Sequence, residues 1–107
     1  MAETPTSQIV NAANAVREVT DSLGRVIKFK RISALDRIRV LKAVGPEQSK
    51  NEPYLGYAML ASSVTELGGV PVPFPRDDRG IEHAVEMLGD EGIEAVARAL
   101  QADAESA

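Results

Sequence analysis

The chain has 107 residues, a net charge of −4 and no cysteine. That length suits one domain with a modest core, and the lack of thiols excludes disulfide staples, thiolate metal sites and a cysteine nucleophile. Apolar residues make up 44% of the chain but aromatics only 4%, so Ala, Val, Leu and Ile must build most of the core.

Residues 1–15 are small and polar around Thr4-Pro5-Thr6-Ser7, and read as a flexible N-terminus. They carry Glu3 and Pro5 and lack the apolar run of a secretory signal. No stretch approaches the roughly 20 apolar residues that cross a bilayer. The expected setting is therefore soluble and cytoplasmic.

The run from Val16 to Thr20 and the run from Val26 to Lys30 flank Asp21-Ser-Leu-Gly-Arg25, which carries hairpin-loop chemistry. In the second run Ile27 and Phe29 alternate with Lys28 and Lys30, placing the apolar pair toward a core and the lysines toward water. Ser33 is a helix cap, with Asp36 at the third helical position. This first helix carries Leu35, Ile38, Leu41 and Val44 on one side and Arg37, Arg39 and Lys42 elsewhere, and Gly45-Pro46 stops it.

Asn51 offers a second cap, with Pro53 in the first turn of a helix expected over about 52–67. Tyr54, Leu55, Tyr57, Ala58, Met59, Leu60, Ala61, Val64 and Leu67 surround almost its whole circumference. Such a helix is either central or leaves one face for another protein. Gly68-Gly69 is its expected end. The three prolines of Val70-Pro-Val-Pro-Phe-Pro75 rule out an interior strand and indicate an extended segment along the surface. Asp77 or Asp78 caps a third helix, Gly89-Asp90 breaks it, and a fourth carries Ile93, Val96, Ala97 and Leu100. Residues 16–101 thus read as a single α+β domain, and 102–107 as a frayed tail.

Charge is unevenly spread. Residues 25–50 hold eight Lys/Arg against Asp36 and Glu47, a balance of +6, whereas residues 51–107 hold three against eleven acids, a balance of −8. A basic hairpin and helix could contact phosphates, but the whole chain is acidic and offers no aromatic platform in that stretch beyond Phe29. Nucleic acid is accordingly a secondary expectation, through the basic 25–42 stretch.

Groups that do chemistry are sparse. The one histidine, His83, has Glu82, Glu86 and Asp78 nearby on the helix, and a solvated acidic face explains them more simply than a metal site. No serine sits in a Gly-x-Ser-x-Gly elbow, and the dispersed glycines form no phosphate-binding loop. The expectation is a protein that is not an enzyme and needs neither metal nor cofactor.

Three segments carry a family likeness: residues 19–37 (Val-Thr-Asp-Ser-Leu-Gly-Arg through Ser-Ala-Leu-Asp-Arg), Asn51-Glu-Pro-Tyr-Leu-Gly-Tyr-Ala58, and Val64-Thr-Glu-Leu-Gly-Gly-Val-Pro-Val-Pro-Phe-Pro75. Together with Leu88-Gly89-Asp90, they make the chain resemble the small tail assembly chaperones of long-tailed bacteriophages and prophages. The similarity spans roughly residues 18–100. One departure is Gly68, where relatives often carry an acidic residue. The resemblance implies non-covalent binding of the aggregation-prone tape-measure protein, keeping it soluble for tail-tube assembly, and absence from the finished virion. It implies the major tail tube protein as a second partner, while self-association is left open.

The expected fold is α+β, an N-terminal antiparallel β-hairpin packed on three to four α-helices. The expected contact residues are Tyr54, Tyr57, Met59 and Leu60 on the apolar helix, with Arg37 and Arg39 on the preceding one. A structural virion component and a small nucleic-acid-binding regulator are the alternatives.

Overall fold

A computed structural model describes residues 15–106. Apart from Ala15, the N-terminus expected to be flexible lies outside the described residues. In chain order the elements are β1 (Arg17–Thr20), β2 (Val26–Phe29), α1 (Ala34–Val44), a single 3-10 turn (Gln48–Lys50), α2 (Glu52–Ser63), β3 (Val64–Leu67), β4 (Val70–Pro71) and α3 (Asp78–Ser106). The fold is α+β: a four-stranded antiparallel sheet in the order β1-β2-β3-β4, packed with three helices.

The expected hairpin forms, with Val19 opposite Ile27 and Thr20 opposite Val26. Alternation sends Ile27 and Phe29 into the core, where both are almost fully buried. On the opposite face Lys28 lies between two carboxylates, 4.0 Å from Glu18 on β1 and 3.4 Å from Glu66 on β3. Opposite charges directly across strands favour this register and keep the outer face of the sheet polar.

Helix α1 starts as its sequence dictates. The Ser33 hydroxyl accepts from the Asp36 N–H at 3.1 Å, and the Asp36 carboxylate accepts from the Ser33 N–H at 3.4 Å. Helix α2 starts where Asn51 Oδ1 accepts from the Tyr54 N–H at 3.2 Å, with a proline in the first turn.

The expected 52–67 helix is too long. It ends at Ser63, and Val64–Leu67 is strand β3, which pairs with β2 and continues through Gly68-Gly69 into β4. Both glycines have positive φ, +56° and +86°, the geometry of a two-residue hairpin turn. Gly-Gly therefore closes a hairpin here and does not end a helix. Val64 and Thr65 are β-branched, and the open edge of β2 supplies partners that helical continuation would lose. One residue is accommodated as a bulge: Lys28 faces Glu66 while Phe29 faces Val64, and the Thr65 hydroxyl donates to the Lys28 carbonyl at 3.3 Å. The proline-bearing strand β4 sits at the sheet edge, where missing donors cost least.

Asp77 caps α3, accepting from the Gly80 N–H at 2.8 Å. The helix breaks at Gly89, whose φ of 65° and ψ of −178° are accessible only to glycine, and its backbone then continues to Ser106, through residues expected as a tail.

Two apolar clusters result. The sheet residues Ile27, Phe29, Val64 and Leu67 pack with Ala61, Ala84, Leu88 and Val96. A second cluster joins Val40, Ala43 and Val44 of α1 to Ala58 of α2 and Ile81 of α3. Helix α2 contributes to both clusters and is the central helix of the domain.

The β1–β2 loop locks the sheet to α3. Asp21, with its side chain fully buried, accepts from the Leu23 and Arg25 N–H groups at 3.0 and 2.9 Å and from Arg25 Nε at 2.7 Å. The two terminal nitrogens of Arg25 then donate to the carbonyls of Met87 (3.0 Å) and Leu88 (2.6 Å), at the C-terminal end of the helical segment before Gly89. A guanidinium there satisfies carbonyls that the helix leaves unpaired and complements its negative dipole end. Loss of water around the Asp21 carboxylate raises its pKa, but the hydrogen bonds and positive charge of Arg25, with the Leu23 N–H, outweigh this and hold it below the usual aspartate value.

Candidate partner-binding surface

The six expected contact residues divide by location. Tyr54 and Tyr57 do share a face, and with Ile81, Glu82, Val85 and Glu86 of α3 they line a shallow cleft of about 260 Å³. The Tyr54 hydroxyl lies 3.5 Å from a Glu82 oxygen, a long hydrogen bond. Burial, followed by the negative charges of Glu82 and Asp78, raises the Tyr54 pKa above the usual tyrosine value. Tyr57 is 53% exposed.

Met59 and Leu60 point elsewhere. Met59 packs against the Val40–Ala58–Ile81 cluster, and Leu60 against the cluster under the sheet. Both are half-buried by the chain itself. Of the broad apolar circumference of α2, then, Tyr57 alone among the large apolar side chains is exposed, and the helix is covered from both sides.

Arg37 and Arg39 lie on the outside of α1. Arg39 is 3.9 Å from Asp36, and with Lys42, Phe74 and Arg76 it lines a different cleft of about 580 Å³ between α1 and the proline-rich segment. None of the residues lining that cleft is acidic.

A further exposed apolar feature lies on α1, on the side where the sequence places Leu35, Ile38, Leu41 and Val44. Leu35, Ile38 and Leu41 are 54%, 62% and 40% exposed, although they form a stripe along one helix. The face of α1 that meets the core is instead Val40, Ala43 and Val44. Of the expected apolar side, only Val44 is buried. The spacing holds two apolar sectors, residues 40, 43 and 44 at i, i+3, i+4 and residues 35, 38 and 41 at i, i+3, i+6, and the fold buries the first. Full burial of each such side chain is worth about 1.5–3 kcal/mol, of which roughly half goes unrealised here. Contiguous exposed apolar stripes on small domains mark interaction sites more often than isolated exposed residues do.

The charge pattern also changes once folded. Arg25 is committed to Asp21 and the α3 carbonyls, and Lys28 to Glu18 and Glu66. Two of the eight cations in residues 25–50 are thereby paired with carboxylates of the chain itself, which reduces the basic surface available to phosphates.

Among the described residues no group of three or more His, Asp or Glu side chains could hold a metal ion, and Glu82 instead faces the tyrosine cleft. No helix among them is long and apolar enough to cross a membrane. Comparisons with family models, curated proteins and solved structures gave no match.

Proposed function

We propose that this chain is a phage tail assembly chaperone that binds the tape-measure protein non-covalently and keeps it soluble for tail-tube assembly. The observation that carries this reading is the exposed Leu35–Ile38–Leu41 stripe, three large aliphatic side chains in a row along one helix face. A client-binding protein needs such a surface; a self-contained fold does not. The sequence likeness adds support, because two of its patterns meet in one contact: the Asp21-x-x-Gly24-Arg25 loop grips the helix end at Leu88-Gly89. On this reading the chaperone works in the host cytoplasm and leaves before the virion is complete.

Co-expression with a tape-measure protein from the same genome tests the proposal. The expected result is a soluble complex that co-purifies through two columns. Unchanged insolubility of the tape-measure protein with no complex would overturn it. Presence of the chain in purified particles would indicate a structural subunit instead.

A further inference from the structure

We infer that the exposed stripe of α1 and the cleft beside it form one docking surface, and that its occupant is an acid-rimmed amphipathic helix of another protein. The inference deepens the binding-protein reading and rests on it.

Helical periodicity of about 100° per residue sets the layout of this surface. Leu41, Ile38 and Leu35 form the apolar ridge. Arg37 borders it on the Leu41 side, Arg39 borders it on the Leu35 side, and Lys42 stands between Ile38 and Leu35. Arg39 and Lys42 also line the 580 Å³ cleft, across which Arg76 adds another positive charge beside Phe74. Ridge and cleft are thus continuous through these two side chains. Asp36 is the one acid on α1, and it is already engaged by Arg39 and by the Ser33 N–H. Among the described residues, Arg37, Lys42 and Arg76 find no carboxylate to pair with.

A row of apolar side chains at i, i+3, i+6 packs best into the groove of a second helix, and flanking cations select carboxylates at the neighbouring positions of that helix. The same charges argue against the commonest self-assembly. A two-fold α1–α1 contact would set Arg37, Arg39 and Lys42 against their own copies, and like charges at an interface are strongly disfavoured. The partner is therefore a different chain, apolar along one seam and acidic at its rims.

The test uses the full-length protein and two fluorescent synthetic helices of about three heptads, with Leu at the seam positions and either Glu or Lys at the flanking ones. Anisotropy titrations should show the Glu-flanked helix binding at least about tenfold more tightly than the Lys-flanked one, more weakly as salt rises. Ile38→Asp, and separately the pair Arg39→Glu with Lys42→Glu, should each weaken binding about tenfold or more without changing the circular dichroism melt. Tyr57→Asp, in the other cleft, should leave affinity within about twofold. Equal affinity for the two helices, no binding of either at about 100 μM, or indifference to Ile38→Asp would overturn the inference. So would sedimentation showing that the wild-type chain self-associates and that Ile38→Asp makes it monomeric. If neither synthetic helix binds but the tape-measure protein still co-purifies, this surface assignment fails and the assembly reading stands. Helix binding without that co-purification would keep the surface assignment and overturn the assembly reading.

Discussion

Helices α1 and α2 invert what their compositions suggest. Helix α2 is apolar on nearly every side, yet neighbours cover it on both flanks and leave only Tyr57 prominent. Helix α1 is studded with Arg37, Arg39 and Lys42, yet it exposes three large aliphatic side chains. The total apolar content of a helix decides how many sides could be buried. Its position in the domain decides how many are. Helix α2 lies between α1, the sheet and α3, whereas α1 meets the core along one seam only.

Substitutions on the two helices should therefore have opposite consequences. Ala58 of α2 is fully buried, so Ala58→Asp places an unpaired charge in the core and should cost about 4 kcal/mol or more in urea unfolding. A loss below about 1 kcal/mol would show that α2 is not central.

The clasp comes next in size and is independent of α1. Arg25→Met should cost about 2–3 kcal/mol, because it strips charged hydrogen bonds from Asp21 and from the Met87 and Leu88 carbonyls. Asp21 adds a pH signature. Its folded pKa lies below its unfolded value, so its contribution is present above the unfolded pKa and is lost as pH falls through the folded one. Stability of the wild type should fall with acid in that window, and Asp21→Asn should flatten this part of the profile; an unchanged slope would remove Asp21 from the clasp.

Much of this fold was legible in local chemistry. Ser33 with Asp36, Asn51 with Pro53, the Asp21–Arg25 loop and the Gly89 break are short-range devices whose partners sit within a few residues. Val64–Leu67 was not legible in the same way. It continues an apolar helical pattern, and only the distant β2 strand makes it a strand. The binding surface was less legible still. Tyr54, Met59 and Leu60 look available when α2 is read alone, and their covering comes from α1, α3 and the sheet. Conversely, the exposure of Leu35, Ile38 and Leu41 depends on α1 turning Val40 and Val44 inward, a choice between two apolar sectors that periodicity alone does not make.

The smallest expected effect is on the exposed stripe. Ile38→Asp should change unfolding free energy by no more than about 0.5 kcal/mol, as for an ordinary surface position. A loss of several times that size would mean that Ile38 is covered within the chain.

Thiol accessibility tests the contrast between the helices most directly, because the chain has no cysteine of its own. Two single-cysteine variants, Ile38→Cys on α1 and Ala61→Cys on α2, would be labelled with a maleimide under native conditions. The Ile38→Cys thiol should react at nearly the rate of the unfolded chain, while the Ala61→Cys thiol, at a site 1% exposed, should react only through opening of the fold. Equal rates, or protection at position 38, would contradict the assignment of α1 as the open helix and α2 as the covered one.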